Sequence, residues 1–463
     1  MRILTITFLL AITQVWATNI GGVLSSNTYL DSSNNPYYVT ADIQVPTGIE
    51  LHIGPGVVMF FGEGMSIKVG GLLRMEGTAL SPIQLSPDSN SMSWGGLMFY
   101  ASAIDFDTTN QTGCFVNYIH SVKGGGASGN DIYNFSNGYT IKALLSTVAI
   151  KNSIFENNAG LGFLFTQGGF FQYNEVFGNS FSMDHFLGDN TYMYFEDNYI
   201  HNINTSYFSA VLTTGKSIIN RNIFKECNAY NAILRVSNDC MISDNQITDC
   251  PNSWGIILLG GLNHTIYNNA FENNKIHIMQ SCERHPIVTN NCFGHFQDYA
   301  IFISANIDSF YPFSPYDCLP YNDIVTIDYG DNFFLSTDSL VIQNMIYDYY
   351  DNVGDLFICD PYPLSSACAY NNFATETYEN DHFFTTFPNP AQDYINIQLA
   401  QGFENVTYKM EMINNLGQVV YSGLFDNGFL HLNVSNYSKG LYHLRLSDDK
   451  RNLRAVKKII ISH

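Results

Sequence analysis

Basic residues are scarce in this chain: 20 Lys and Arg stand against 41 Asp and Glu among 463 residues, a formal net charge of −21. Positions 383–463 hold 8 basic and 6 acidic residues, which leaves 12 against 35 for everything before them. A surface so negative repels nucleic acid, whose affinity rests on phosphate neutralisation by Lys and Arg, and it offers little to anionic lipid. No nucleic-acid partner is expected. Long apolar runs are also missing: beyond the first 17 residues no stretch reaches the ~18 apolar residues that a membrane span requires, so no transmembrane segment is expected. Zinc spacings of the CxxC or Cys/His kind are absent. The 9 cysteines are an odd number, so at least one thiol stays free or pairs with another chain.

Residues 1–17 have the layout of a secretory signal peptide: Arg2 gives the positive start, Ile3 to Ile12 the apolar stretch, and Val15 with Ala17 the small-residue cleavage pattern. Further on, one residue returns with a period. Asn174, Asn198, Asn222, Asn245, Asn269 and Asn291 are spaced 24, 24, 23, 24 and 22 apart, with Ser153 holding the place one period earlier. Three positions before each stand Ile150, Phe171, Phe195, Ile219, Ile242, Ile266 and Val288; two positions after stand Phe155, Val176, Ile200, Phe224, Ile247, Phe271 and Phe293. A unit of this length cannot bury its own apolar side chains, so consecutive units must stack and share one core. The asparagines are expected at corners, where Asn accepts positive φ and its amide can bond to the next coil. Cys227 and Cys250 each fall five residues after a ladder position, so stacked strands bring them together, as a bridge or as two small buried side chains. Cys359 and Cys368 are a second candidate pair.

Between Val45 and Ser86 short apolar runs are broken by Gly and Pro, the punctuation of short strands joined by tight turns. This segment, the Ser93–Phe99 run SWGGLMF and the following repeats resemble the right-handed parallel β-helix family that includes pectate-lyase-like and related surface proteins. The resemblance implies an all-β chain: a right-handed parallel β-helix (solenoid) over 18–368, followed by a small antiparallel β-sandwich. Asn322 to Leu364 resembles the closing segment of exported β-helix proteins, and its pattern predicts a capping helix over about 337–351, started by Thr337 or Asp338, with Leu340, Ile342, Ile346 and Tyr350 as its apolar stripe. Polar, aperiodic 369–382 reads as a linker.

From 383 to 463 the chain alternates apolar and polar residues between Gly turns. It resembles the type A C-terminal sorting domain of the type IX secretion system of Bacteroidetes: Pro388, Asn389 and Pro390 match the opening motif, Gly417 the central turn, Gly440 and Tyr442 the Gly-Leu-Tyr strand, Lys457 and Lys458 the basic end. That resemblance implies handling by the type IX machinery and a secreted or outer-surface location.

For chemistry, Asp197, Arg221 and Asp244 each precede a ladder asparagine in three successive coils, an acid, a base and an acid in one file. They read either as a surface ion ladder in which Arg221 relieves both acids, or as carboxylates for glycoside cleavage. Asp323, Asp328 and Asp331 are candidate calcium ligands or solvated corner residues. His185, His201, His264, His277, His285 and His295 share no column. Tyr192, Tyr194, Tyr199 and Tyr207 crowd one region and suit sugar stacking. Lyases of the resembled family use Lys or Arg, often with calcium, on acidic sugars, and the scarcity of basic residues argues against such substrates. Two functions follow: a non-catalytic surface protein that binds a polysaccharide or a protein partner, and a polysaccharide-cleaving enzyme.

Overall fold

The computed structural model describes residues 18–462 except 127–137, 159–161, 179–181, 186–191, 206–208, 214, 260–263, 282–285, 305–323, 352–356, 367, 369–375, 379–383, 400–407, 415–418, 426–427 and 449–452. The signal-peptide span 1–17, Asp323, His285, Tyr207 and Gly417 therefore lie outside the described residues. The chain divides into two units, residues 1–370 and 371–463.

The first unit is a parallel solenoid with three faces. An 11-stranded sheet forms the first face, running from Thr28–Leu30 to Ile287–Thr289, and a 25-stranded sheet wraps the other two. The register places each apolar column of the repeat in one straight file. Ile150, Phe171, Phe195, Ile219, Ile242, Ile266 and Val288 pair in succession down the first face. Phe155, Val176, Ile200, Phe224, Ile247, Phe271 and Phe293 do the same on the second, continued by Phe334. All of them are buried. Because each side chain lies over its equivalent, rings stack: Phe171 and Phe195 are 5.4 Å apart and nearly parallel at 5°. Such stacking adds to the burial term that holds coil to coil.

The end of the solenoid departs from the expected 15-residue helix. Only Ser339–Gln343 is helical, capped by Asp338, whose Oδ1 accepts from the Leu340 and Val341 amides. Ile346–Tyr347 is instead a strand paired with Ile301 and Phe302, because joining the third face satisfies its backbone and buries Ile346. Asp348 then turns the chain by accepting from the Tyr350 and Cys359 amides. Ile342 reaches the core whereas Leu340 and Tyr350 are exposed, so the four-residue stripe is not buried as one face.

Cysteine pairing also differs from expectation. Cys368 bridges Cys292, with Cα atoms 5.4 Å apart, and Cys359 is a free buried thiol pushed well up by its burial. Cys227 and Cys250 stack as expected but stay reduced, the Cys227 amide donating to the Cys250 sulfur at 3.4 Å. The bridge closes a span of 76 residues, and its loss is expected to destabilise this end by about 4 kcal/mol. Denaturant unfolding with and without reductant, alongside Cys292→Ser, checks this; equal midpoints would overturn it.

The second unit has a five-stranded sheet and a three-stranded sheet around its own core of Phe384, Ile395, Ile397, Met410, Met412, Leu444, Leu446, Ile459 and Ile461. Among the described residues its strand pairings are antiparallel apart from Glu376–Tyr378, which runs parallel to Leu453–Ile461, and Ala391 adds a parallel bridge to Ile461. That short strand falls inside the stretch expected to be linker; alternation is illegible over three residues, and pairing with the last strand decides it. The motif residues act as ties: Asn389 Oδ1 accepts from the Ile460 amide at 2.8 Å, the Tyr442 hydroxyl donates to Ser438 O at 2.7 Å, and the Lys457 ammonium lies 5.7 Å from the centre of the Phe384 ring. Pro388 and Pro390 flank Asn389 at the end of Phe384–Phe387, Gly440 opens the Gly440–Asp448 strand, and Lys458 pairs with His443 in the adjacent one.

Candidate functional site

The asparagine file is structural and longer than its period showed. Each ladder side chain accepts at Oδ1 from the preceding rung's amide N–H, and from its Nδ2 where that rung is an asparagine; it donates from its own Nδ2 to a carbonyl of the preceding coil. Asn332 adds a rung by accepting from Asn291, 41 residues away. The positive φ expected of these asparagines falls one residue earlier, on Asn152, Tyr173, Asp197, Arg221, Asp244, Asn268, Asn290 and Asp331, at φ of 50° to 58°. The preceding residue makes the left-handed turn, which frees the asparagine to point into the stack.

Asp197, Arg221 and Asp244 thus sit on tight corners, in successive coils. Arg221 holds Asp197 in a two-pronged pair at 2.7 and 2.6 Å and reaches Glu196 at 3.7 Å. This partner raises the already high guanidinium pKa further. Among the described residues the Asp244 side chain has no hydrogen bond or ion pair, so the arginine serves one acid of the file and not both. Of the calcium candidates, Asp328 uses Oδ1 to accept from the Gly330 amide at 2.8 Å, and Asp331 is the corner residue before Asn332. Among the described residues no group of three or more His, Cys, Asp or Glu side chains gathers as a cation site. His201 and His295 pair with Glu175 and Glu272 of the neighbouring coil, His264 is buried and accepts from the Cys240 amide, and the His185 side chain is outside the described residues. Burial pushes the His277 imidazole down to about 3, so it stays neutral and donates to Gly294 O.

The outer side of the first face carries a feature the two tracked columns did not include. Four residues before the ladder positions, Phe170, Tyr194, Ile218, Met241, Thr265 and Ile287 form an outward file, preceded by Phe115 and Ala149. Phe170 and Tyr194 stack at 4.9 Å and 8°, Phe106 packs on Phe115 and Phe170 at 5.5 and 5.8 Å, and Tyr192 lies 6.2 Å from Tyr194. Arg74 covers Phe115 at 5.3 Å and Lys151 covers Phe106 at 5.7 Å. Tyr192, Met241 and Ile287 are exposed; Phe115, Phe170, Tyr194 and Ile218 are half-buried. Two residues before the ladder positions runs a parallel polar file, Gln172, Glu196, Asn220, Ser243, Tyr267 and Thr289, preceded by Lys151. Tyr199, of the expected tyrosine group, lies on the second face instead, stacked on His201 at 4.1 Å.

On the third face the residues Lys142, Leu164 and Asp184 are buried. Lys142 lies beneath the Tyr139 ring at 5.5 Å, and the Tyr139 hydroxyl donates to Asp184 at 3.3 Å. These charges are spent on internal contacts.

With the geometry established, comparison with known proteins adds two family matches. Residues 385–462 match the secretion system C-terminal sorting domain, and residues 185–309 match the right-handed β-helix region. A 74-residue segment is 36% identical to Protein bark beetle of Drosophila melanogaster, covering 16% of this chain and 2% of that protein, so the chain spans a very small part of that relative. The sorting domain indicates export by the type IX route to the cell surface or the extracellular space. Among the described residues no helix is long and apolar enough to cross a membrane.

Proposed function

We propose that this exported parallel β-helix protein is a non-catalytic binding protein that holds a neutral polysaccharide along the outer side of its first face. The observation that carries this reading is the paired files just described, a largely apolar file that opens on the parallel Phe170 and Tyr194 rings, beside a file of amide, hydroxyl and carboxylate groups. A sugar ring presents the same two characters, an apolar C–H face and an equatorial fringe of hydroxyls. Stacking on aromatics suits the first, and Gln172, Asn220 and Tyr267 suit the second. Polyanionic sugars fit poorly, because 35 acids face 12 bases before position 383. Catalysis fits poorly at the corner acids, since Asp197 is neutralised by Arg221 and Asp244 stands apart from that pair.

Affinity electrophoresis against neutral and acidic polysaccharides tests this. Tyr194→Ala and Phe170→Ala are expected to weaken binding to a neutral glycan by about tenfold each, the worth of one stacked ring. Asp197→Ala and Asp244→Ala leave binding unchanged, and no reducing ends appear. Release of new reducing ends or unsaturated sugars, abolished by changing either acid, establishes a polysaccharide-cleaving enzyme in its place.

A further inference from the structure

A second site lies on the third face, near the end of the solenoid. Along four successive strands there two files run side by side: Ala232, Trp254, Ile276 and Tyr299 in one, and Arg235, Ile257, Met279 and Phe302 in the other. Between them opens a cavity of about 120 Å³ lined by Trp254, Ile276, Met279, Tyr299 and Phe302, with Lys275 and Asp298. Trp254, Ile276 and Met279 are buried, and Tyr299 and Phe302 are half-buried. The two charged side chains are the most exposed of the lining, each close to half accessible and 4.0 Å from one another, so they mark the mouth. The rings of the wall pack on one another: Phe302 stacks on Tyr347 at 4.3 Å and 5°, and Tyr299 leans on both rings at 5.8 and 5.5 Å.

We infer that this cavity binds a free apolar α-amino acid as its zwitterion, side chain inward, ammonium on Asp298 and carboxylate on Lys275. The chemistry of the wall selects this occupant. A sugar would bring hydroxyls into a space whose inner wall offers carbon, sulfur and ring faces, and each hydroxyl would lose its water without a partner. A lipid tail would outrun a cavity of this volume and would place hydrocarbon against two charges at the mouth. An apolar amino acid matches both ends: its side chain fills the ring-lined interior, and its opposite charges meet an opposite pair at a separation that lets both be engaged. The site is independent of the first-face stripe.

Fluorescence reads occupancy directly. The chain from Thr18 onward has two tryptophans, and Trp94 is fully buried against Phe61, so ligand-dependent change comes from Trp254. Titration with L-leucine, L-methionine and L-phenylalanine is expected to give a saturable change that Trp254→Phe removes, with calorimetry reporting the same affinity. Asp298→Asn and Lys275→Gln, both at exposed positions, should each weaken binding by about tenfold, as loss of a charge-assisted hydrogen bond does. N-acetyl-phenylalanine amide should bind more weakly by a similar factor, and glycan binding should be unaffected by either variant. Absence of a saturable response to all three amino acids by both methods overturns the inference, as does equal affinity for the N-acetyl amide or unchanged affinity in both variants.

Discussion

Replacing Asn222 with alanine is expected to remove about 4 kcal/mol from the stability of the solenoid, more than any single exposed change, because it removes four buried hydrogen bonds and leaves two donors of Asn198 and the Phe195 carbonyl without these partners, while Asn245 Oδ1 keeps only the Asn222 amide N–H. Asn222 is fully buried. Its Oδ1 accepts from the Asn198 amide at 3.0 Å and the Asn198 Nδ2 at 2.9 Å, while its Nδ2 donates to Phe195 O at 2.8 Å and Asn245 Oδ1 at 2.9 Å. Alanine supplies none of these side-chain bonds. Asn222→Asp should be no better, since it turns a second oxygen toward two acceptors and buries a charge. Asn228→Ala is the control: its side chain also bonds along a column, to Asn204 at 3.2 Å, but at the surface. That change should cost less than about 1 kcal/mol. Because each coil leans only on its neighbours, the loss should appear first as faster amide exchange in the strands holding Phe195 and Ile242, with distant coils protected. An unfolding midpoint for Asn222→Ala equal to that of Asn228→Ala contradicts the account.

The ladder also marks what the sequence could and could not disclose. A corner that must satisfy buried amides has one good solution, so its residue repeats and its period is legible over six coils. The rung at Asn332 was hidden because 41 residues separate it from Asn291, and a period cannot be followed across such a gap. Its aromatic neighbours at Phe333 and Phe334 were the surviving trace. Which residue of the corner takes positive φ is illegible for a related reason: Asn is equally suited to a left-handed turn and to a ladder, and only the backbone separates the roles. Sequence proximity favours Cys359 with Cys368, whereas the fold brings Cys292 and Cys368 together across 76 residues.

The candidate site was less legible than the fold. Core columns repeat because volume is conserved from coil to coil, but outward columns are constrained by nothing inside the stack. Phe170 and Tyr194 sit one position from the core column of Phe171 and Phe195, and among so many aromatics they look like more core. Only the alternation of a strand shows that adjacent rings face opposite ways. The expected tyrosine cluster captured half of the feature: Tyr192 and Tyr194 belong to the stripe, while Tyr199 faces away from it. In the same way, the period puts Asp197, Arg221 and Asp244 in one file, but spacing alone cannot say that the arginine closes on Asp197.

Deleting residues 383–463 is expected to abolish appearance of the protein outside the cell while leaving the solenoid folded. The two parts have separate hydrophobic cores, one centred on the stacked coils and the other on residues such as Ile395, Met412, Leu444 and Ile459, and a domain with its own core can fold alone. A folding defect and an export defect therefore come apart. The truncated chain, purified from the cell interior, should keep the circular dichroism and unfolding midpoint of the intact protein. In a host with a working type IX system, only the intact chain should reach the surface or medium, and residues 383–463 fused to a periplasmic carrier should carry it out. Asn389→Ala should give an intermediate loss, because Asn389 ties the last strand through the Ile460 amide and a frayed end presents the motif less often. Export of the truncated chain at the intact level would mean that the address lies in the solenoid, and retention of the fused carrier would mean that the sorting domain is insufficient on its own.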